Sequence, residues 1–223
     1  MSLKQWDIIH SIAILIALAA FHLTGIYWPV IGVAFFSLIL LWTSQWYTIS
    51  NIKPAGGYAN LLTLLRYILQ LLILAFSDIW PFWSLGLLFT VPVLIDGLDG
   101  YLARRLNHTT KFGALFDLET DSLFMTLTAM ILYHRHIAGA WLLPAAYMRY
   151  FYVLVVAIFQ LNGIQEKSTR FGPFIAFIMY VSLILEFLSR SAASRIILMA
   201  ASCLIILSFG YSFYSVVSQR RDL

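Results

Sequence analysis

Residues 87–105 read LLFTVPVLIDGLDGYLARR. The first nine belong in a hydrocarbon environment; the next ten bring two aspartates and two arginines. A charge at bilayer depth costs about 2.5 to 3.5 kcal/mol even on an insertion scale, so something must offset these charges. Asp96 and Asp99 are three residues apart and share one helix face. Arg104 follows Asp96 by eight and falls near the same stripe. After a short loop, residues 113–121 read GALFDLETD. Asp117 and Asp121 are four apart and again share a face, while Glu119 points elsewhere.

Two antiparallel helices joined by the 107–112 loop can therefore aim four carboxylates at one another. Left alone, such a group repels itself. Divalent cations relieve the repulsion. An oxygen donor set without Cys or a His cluster favours Mg²⁺, Mn²⁺ or Ca²⁺ over Zn²⁺. Two ions about 3.5 to 4 Å apart are the known arrangement for phosphoryl-type displacement. The plainer reading pairs the aspartates with Arg104 or Arg105 across helices, but it leaves four Asp with too few partners. Gly100 and Ala103 bare the helix beside Asp99, and Gly113 opens the next helix. Small residues of this kind let a bulky ligand approach the backbone.

The rest of the chain is consistent with a membrane setting. Of 223 residues, 61% are hydrophobic and 11% charged, against about 25% charged in soluble domains. Mean hydropathy is +0.87. A net charge of +4 speaks to topology and anionic lipid rather than nucleic acid. The single Cys203 excludes an intrachain disulfide and a Cys-based metal site. The first apolar run lacks the small-residue end of a cleavable signal peptide.

With about 20 apolar residues per span, eight spans are expected: 8–27, 30–47, 58–77, 82–106, 113–133, 137–161, 171–188 and 193–217. The fold class is thus an all-α polytopic membrane bundle. The first two spans form a hairpin at Tyr27-Trp28-Pro29, and the Lys53-Pro54 and Gly56-Gly57 linker suggests a division into a hairpin, 1–52, and a six-helix core, 53–223. Alternate ends carry Lys4, Lys53, Arg104, Arg105, Lys111, Lys167, Arg170, Arg220 and Arg221 on one side, and Arg135, Arg190 and Arg195 on the other. Positive-inside bias puts both termini and the aspartates in the cytoplasm.

The run from Asp96 to Asp121 resembles the CDP-alcohol phosphotransferase signature D-x2-D-G-x2-A-R-x8-G-x3-D-x3-D. The fixed positions are Asp96, Asp99, Gly100, Ala103, Arg104, Gly113, Asp117 and Asp121. The resemblance implies a six-helix catalytic core over 58–217, with the hairpin outside it, and a homodimer. It implies transfer of a substituted phosphoryl group from a CDP-linked donor, CDP-diacylglycerol in bacteria, to an alcohol, releasing CMP. Two Mg²⁺ or Mn²⁺ ions would be held by Asp96, Asp99, Asp117 and Asp121, with Asp121 also the general base. Gly100, Ala103 and Gly113 would make room for cytidine. Arg104 would grip the pyrophosphate through its planar fork or else lock the helix pair. The membrane would be a bacterial inner membrane, with the site facing the cytoplasm.

Three further features bear on the substrates. Asn60, Thr63 and Arg66 in YANLLTLLRYIL resemble the N-x2-T-x2-R opening of some family members. Asn60 and Thr63 share a face and either touch the donor phosphate or form a packing stripe. Arg149, inside the sixth span, is a functional-site hypothesis by depth alone. It either binds a phosphorylated acceptor or pairs with a motif Asp or with Glu186. Lys167 and Arg170 in EKSTRFGPF either join Arg149 in a phosphate pocket or form a solvated positive-inside loop. A phosphorylated polyol such as glycerol 3-phosphate or inositol phosphate is the acceptor these cations favour. Serine, choline or a lipid alcohol is the alternative, and a divalent-cation transporter is the rival of a different class.

Overall fold

The computed structural model describes residues 1–51, 57–106, 110–159 and 172–221, with the side chains of 98–106 and 220–221 outside that description. The described residues are helical, without strands. In order they form α1 (Leu3–Thr24), α2 (Trp28–Ser44), a short α3 (Trp46–Ser50), α4 (Tyr58–Ala75), α5 (Phe82–Leu106), α6 (Lys111–His134), α7 (Leu143–Ile158), α8 (Gly172–Ser189) and α9 (Ala192–Arg221). Each of the eight long helices overlaps one of the eight expected spans. α1, α4, the stretch Ala140–Ile158, α8 and the stretch Ala192–Gln219 are each long and apolar enough to cross a membrane. α2 and the Phe82–Gly97 part of α5 are shorter apolar helices.

Local chemistry sets the helix ends. Ser2 and Gln5 form a reciprocal capping box, so α1 begins at Leu3, five residues earlier than the hydropathy suggests. Gly25, at φ +73°, ends α1 in the left-handed conformation, and Pro29 restarts the chain in the first turn of α2. The expected span 30–47 breaks at Gln45, where α2 gives way to α3. The Thr110 hydroxyl accepts the Gly113 N–H at 2.9 Å and caps α6. At the far end, the Arg135 guanidinium donates to the carbonyls of Ser77, Asp78 and Trp80 at 2.8 to 3.0 Å. That contact ties the α4–α5 turn to the end of α6.

Helix α6 is central, packed against α4, α7 and α8. Every residue from 126 to 132 is fully buried, as expected of a helix enclosed on all sides. α4 packs on both α5 and α6, α8 on α5 and α9, and α1 on α2 and α7. The outer faces are rich in large apolar side chains, among them Ile16, Leu23, Phe36, Leu94 and Leu207. So much exposed hydrocarbon over several helices suits lipid contact and not water.

Candidate metal centre and substrate cavity

Asp96 near the end of α5 and Asp117 and Asp121 early in α6 converge. One carboxylate oxygen of each lies within 4.8 Å of the others. Their side chains remain 35%, 46% and 28% exposed, accessible to a ligand. Asp99, Gly100, Ala103 and Arg104 lie where side chains are outside the described residues, as do Lys167 and Arg170 altogether.

Between the three carboxylates lies a residue to which the sequence reading gave no role. Arg66, on α4, is 2% exposed. Its Nη1 is 2.6 Å from Asp96 Oδ1 and 2.9 Å from Asp117 Oδ1, and its Nη2 is 2.5 Å from Asp121 Oδ1. The signal was present: an arginine eight residues into an apolar span is as costly there as Arg149, and the same rule applies to both.

The Asn60 and Thr63 side chains, two turns and one turn earlier on α4 respectively, are buried. The Thr63 hydroxyl donates to the Ala59 carbonyl at 3.1 Å. A Cβ added at Gly113 would sit 2.7 Å from Asn60 Oδ1. The bare face of Gly113 therefore receives the Asn60 carboxamide, and the glycine brings α4 and α6 together.

The aspartates open onto a cavity of about 930 Å³ that reaches α1, α7, α8 and α9 as well. Its wall includes Lys4, Asp7, Asp96, Asp117, Asp121, Arg149 and Tyr180. Arg149 is 8% exposed and donates from Nη2 to Asp7 Oδ1 at 2.9 Å. Among the described residues the expected partners are otherwise engaged: Glu186 accepts from Ser194 at 2.6 Å and pairs with Arg195 at 3.2 Å, and Asp96, Asp117 and Asp121 hold Arg66. The pairing expected with a motif Asp or with Glu186 is therefore replaced by one with Asp7. The counter-charge of Arg149 comes from α1, more than 140 residues away in sequence.

A second tie joins the hairpin to the core. Glu119, between the two α6 aspartates, is fully buried and faces away from them. It lies 2.7 Å from His10 Nε2 and accepts from the Tyr150 hydroxyl at 3.0 Å. His10 Nδ1 meets Ser37 Oγ at 2.7 Å, and Trp6 stacks on the imidazole at 4.7 Å.

Residues 57–208 match the model of the CDP-alcohol phosphatidyltransferase family. The chain belongs to this family. Similar relatives are the CDP-diacylglycerol–glycerol-3-phosphate 3-phosphatidyltransferases of Escherichia coli strain K12, Escherichia coli O157:H7 and Shigella sonnei strain Ss046, each 39% identical over 93 residues, or 40% of this chain and 50% of the relative. The chain thus spans about half the length of the curated relatives it matches. CDP-alcohol phosphatidyltransferases use divalent metals, and the donor set here fits them. Its carboxylate oxygens are hard ligands. One guanidinium against three carboxylates leaves two formal negative charges among the described residues, the charge of one such ion.

Proposed function

We propose that this protein is a phosphatidyltransferase that moves the phosphatidyl group of CDP-diacylglycerol to a phosphorylated polyol, glycerol 3-phosphate foremost, with release of CMP. The observation that carries the reading is the opening of three convergent carboxylates and a buried arginine onto one cavity, inside a chain of this family. Asp96, Asp117 and Asp121, with Asp99 by the motif, would hold Mg²⁺ or Mn²⁺. These ions, when bound, supply polarisation of the pyrophosphate and neutralisation of the leaving nucleotide.

Asp121 takes the proton of the acceptor hydroxyl. The freed oxygen bonds to the phosphorus bearing diacylglycerol, and the bond from that phosphorus to CMP breaks. Arg149 and Lys4 bind the acceptor phosphate, Arg149 through donors that Asp7 leaves available. By the resemblance, Lys167 and Arg170 would guide it in, and Arg104, Gly100 and Ala103 would bind the donor. The resemblance also supports a homodimer in a bacterial inner membrane with the cavity on the cytoplasmic side.

The Asp7–Arg149 pair favours a second acceptor, serine, whose carboxylate and ammonium would match the two charges. Lys4 weighs against it by making the group net positive. An assay of CMP release from CDP-diacylglycerol with Mg²⁺ tests the reading, with glycerol 3-phosphate and serine as separate acceptors. Release that depends on glycerol 3-phosphate is expected. Release with serine alone moves the acceptor to the second reading. Silence with every alcohol, together with Mg²⁺ flux into vesicles, replaces the enzyme by a transporter.

A further inference from the structure

The helix α1 lies outside residues 57–208, which match the family, yet it forms part of the cavity wall. Lys4 and Asp7 are three apart on one face of α1, and both line the cavity that the three motif aspartates line. Asp7 is not fully committed to its partner. Its contact with Arg149 is a single one at 2.9 Å through Oδ1, and its side chain stays 19% exposed. Arg149 lines the same cavity, and its contact with Asp7 uses Nη2 alone. The wall therefore sets a guanidinium and a partly exposed carboxylate side by side in the cavity.

We infer that Asp7 is a specificity-determining residue of the acceptor subsite: it accepts a hydrogen bond from the non-reacting hydroxyl of a phosphorylated polyol whose phosphate lies on Arg149 and Lys4. This rests on the acceptor class proposed above and deepens it. The chemistry requires an acceptor with three features: an anionic group for Arg149, a reactive hydroxyl for Asp121, and a second hydroxyl donor for Asp7. A carboxylate that holds a buried guanidinium is already oriented. A substrate lacking the second hydroxyl leaves it short of a donor, the situation in which polar sites discriminate most strongly.

The test compares kcat/KM for glycerol 3-phosphate with that for 3-hydroxypropyl phosphate, which lacks only the middle hydroxyl. The full-length protein is used in detergent with CDP-diacylglycerol and Mg²⁺. The wild type is expected to prefer glycerol 3-phosphate by about ten-fold or more, in line with a hydrogen bond to a charged group. Asp7→Ala should bring the ratio close to one. Asp7→Asn, which keeps an oxygen for both partners, should fall between. The ratio cancels any effect on Arg149, on the metals or on the amount of folded enzyme, so a merely structural role for Asp7 leaves it unchanged. An unchanged ratio in Asp7→Ala overturns the inference while leaving the proposed function intact. If Asp7→Ala does not fold, an unchanged ratio in Asp7→Asn overturns it equally. A wild type that uses neither phosphate but accepts serine overturns the acceptor class and this inference together.

Discussion

At the scale of single residues, Arg66 and Asp121 separate two kinds of contribution to one cluster. Arg66 neutralises: buried at the junction of α4, α5 and α6, it offsets repulsion among three carboxylates. Removing one partner of a buried charge group leaves the others uncompensated, at a cost of about 3 to 5 kcal/mol in low-dielectric surroundings. These carboxylates are partly open, so the lower end applies. Arg66→Met should therefore lower thermal stability in chelator, and Mg²⁺ should recover more of that loss than it adds to wild type. Thermal unfolding with EDTA and with Mg²⁺ checks this, and equal metal effects on both proteins would contradict the compensating role. Asp121 is proposed to move a proton. Asp121→Asn keeps shape and an oxygen donor but not basicity, so CMP release should fall by about 10² to 10⁴-fold with unfolding temperature little changed. A variant retaining a tenth of the wild-type rate removes Asp121 from that role.

At the scale of helices, the pattern of the sequence defines faces but not partners. Three-and-four spacing placed Asp117 and Asp121 on one side of α6 and Glu119 on another, and the structure has that arrangement. Hydropathy made all eight long helices readable, though not their ends. What could not be read was the neighbour of each face. Arg66 meets Asp117 across 51 positions, Glu119 meets His10 across 109, and Arg149 meets Asp7 across 142. Such pairings depend on which helix lies beside which, and short-range periodicity carries no term for that. Gly113 shows the same limit, because a glycine that admits a ligand and one that admits Asn60 look alike in sequence. The packing account makes its own prediction. Gly113→Ala would force its Cβ to within 2.7 Å of Asn60 Oδ1, and overpacking of this kind costs about 1 to 3 kcal/mol. The double variant Gly113→Ala, Asn60→Ala should recover most of the lost stability in unfolding measurements. If it does not, Asn60 is not the obstacle.

At the scale of the whole molecule, the question is whether the first two helices form an attachment or a part of the working unit. The linker composition suggests an attachment. The contacts favour the second answer: His10 is the basic partner of fully buried Glu119, Asp7 is the counter-charge of Arg149, and the Tyr67 hydroxyl donates to the Ala34 carbonyl at 3.0 Å. Without the hairpin, Glu119 and Arg149 would each be left in the bundle without these partners, and an uncompensated buried charge is among the costliest defects a fold can carry. A chain beginning at residue 52 should therefore fail to accumulate in membranes or show no CMP release. Co-expression of residues 1–51 as a separate hairpin should restore part of both, because the ties are side-chain contacts and need no covalent link. His10→Ala in the intact chain should show the same defect in milder form, since α1 keeps its Asp7 contact. Membrane yield and CMP release for the three forms decide the matter. A truncated chain with wild-type yield and turnover would mean that the six-helix core is self-sufficient and that the polar face of α1 is not required by the cavity it lines.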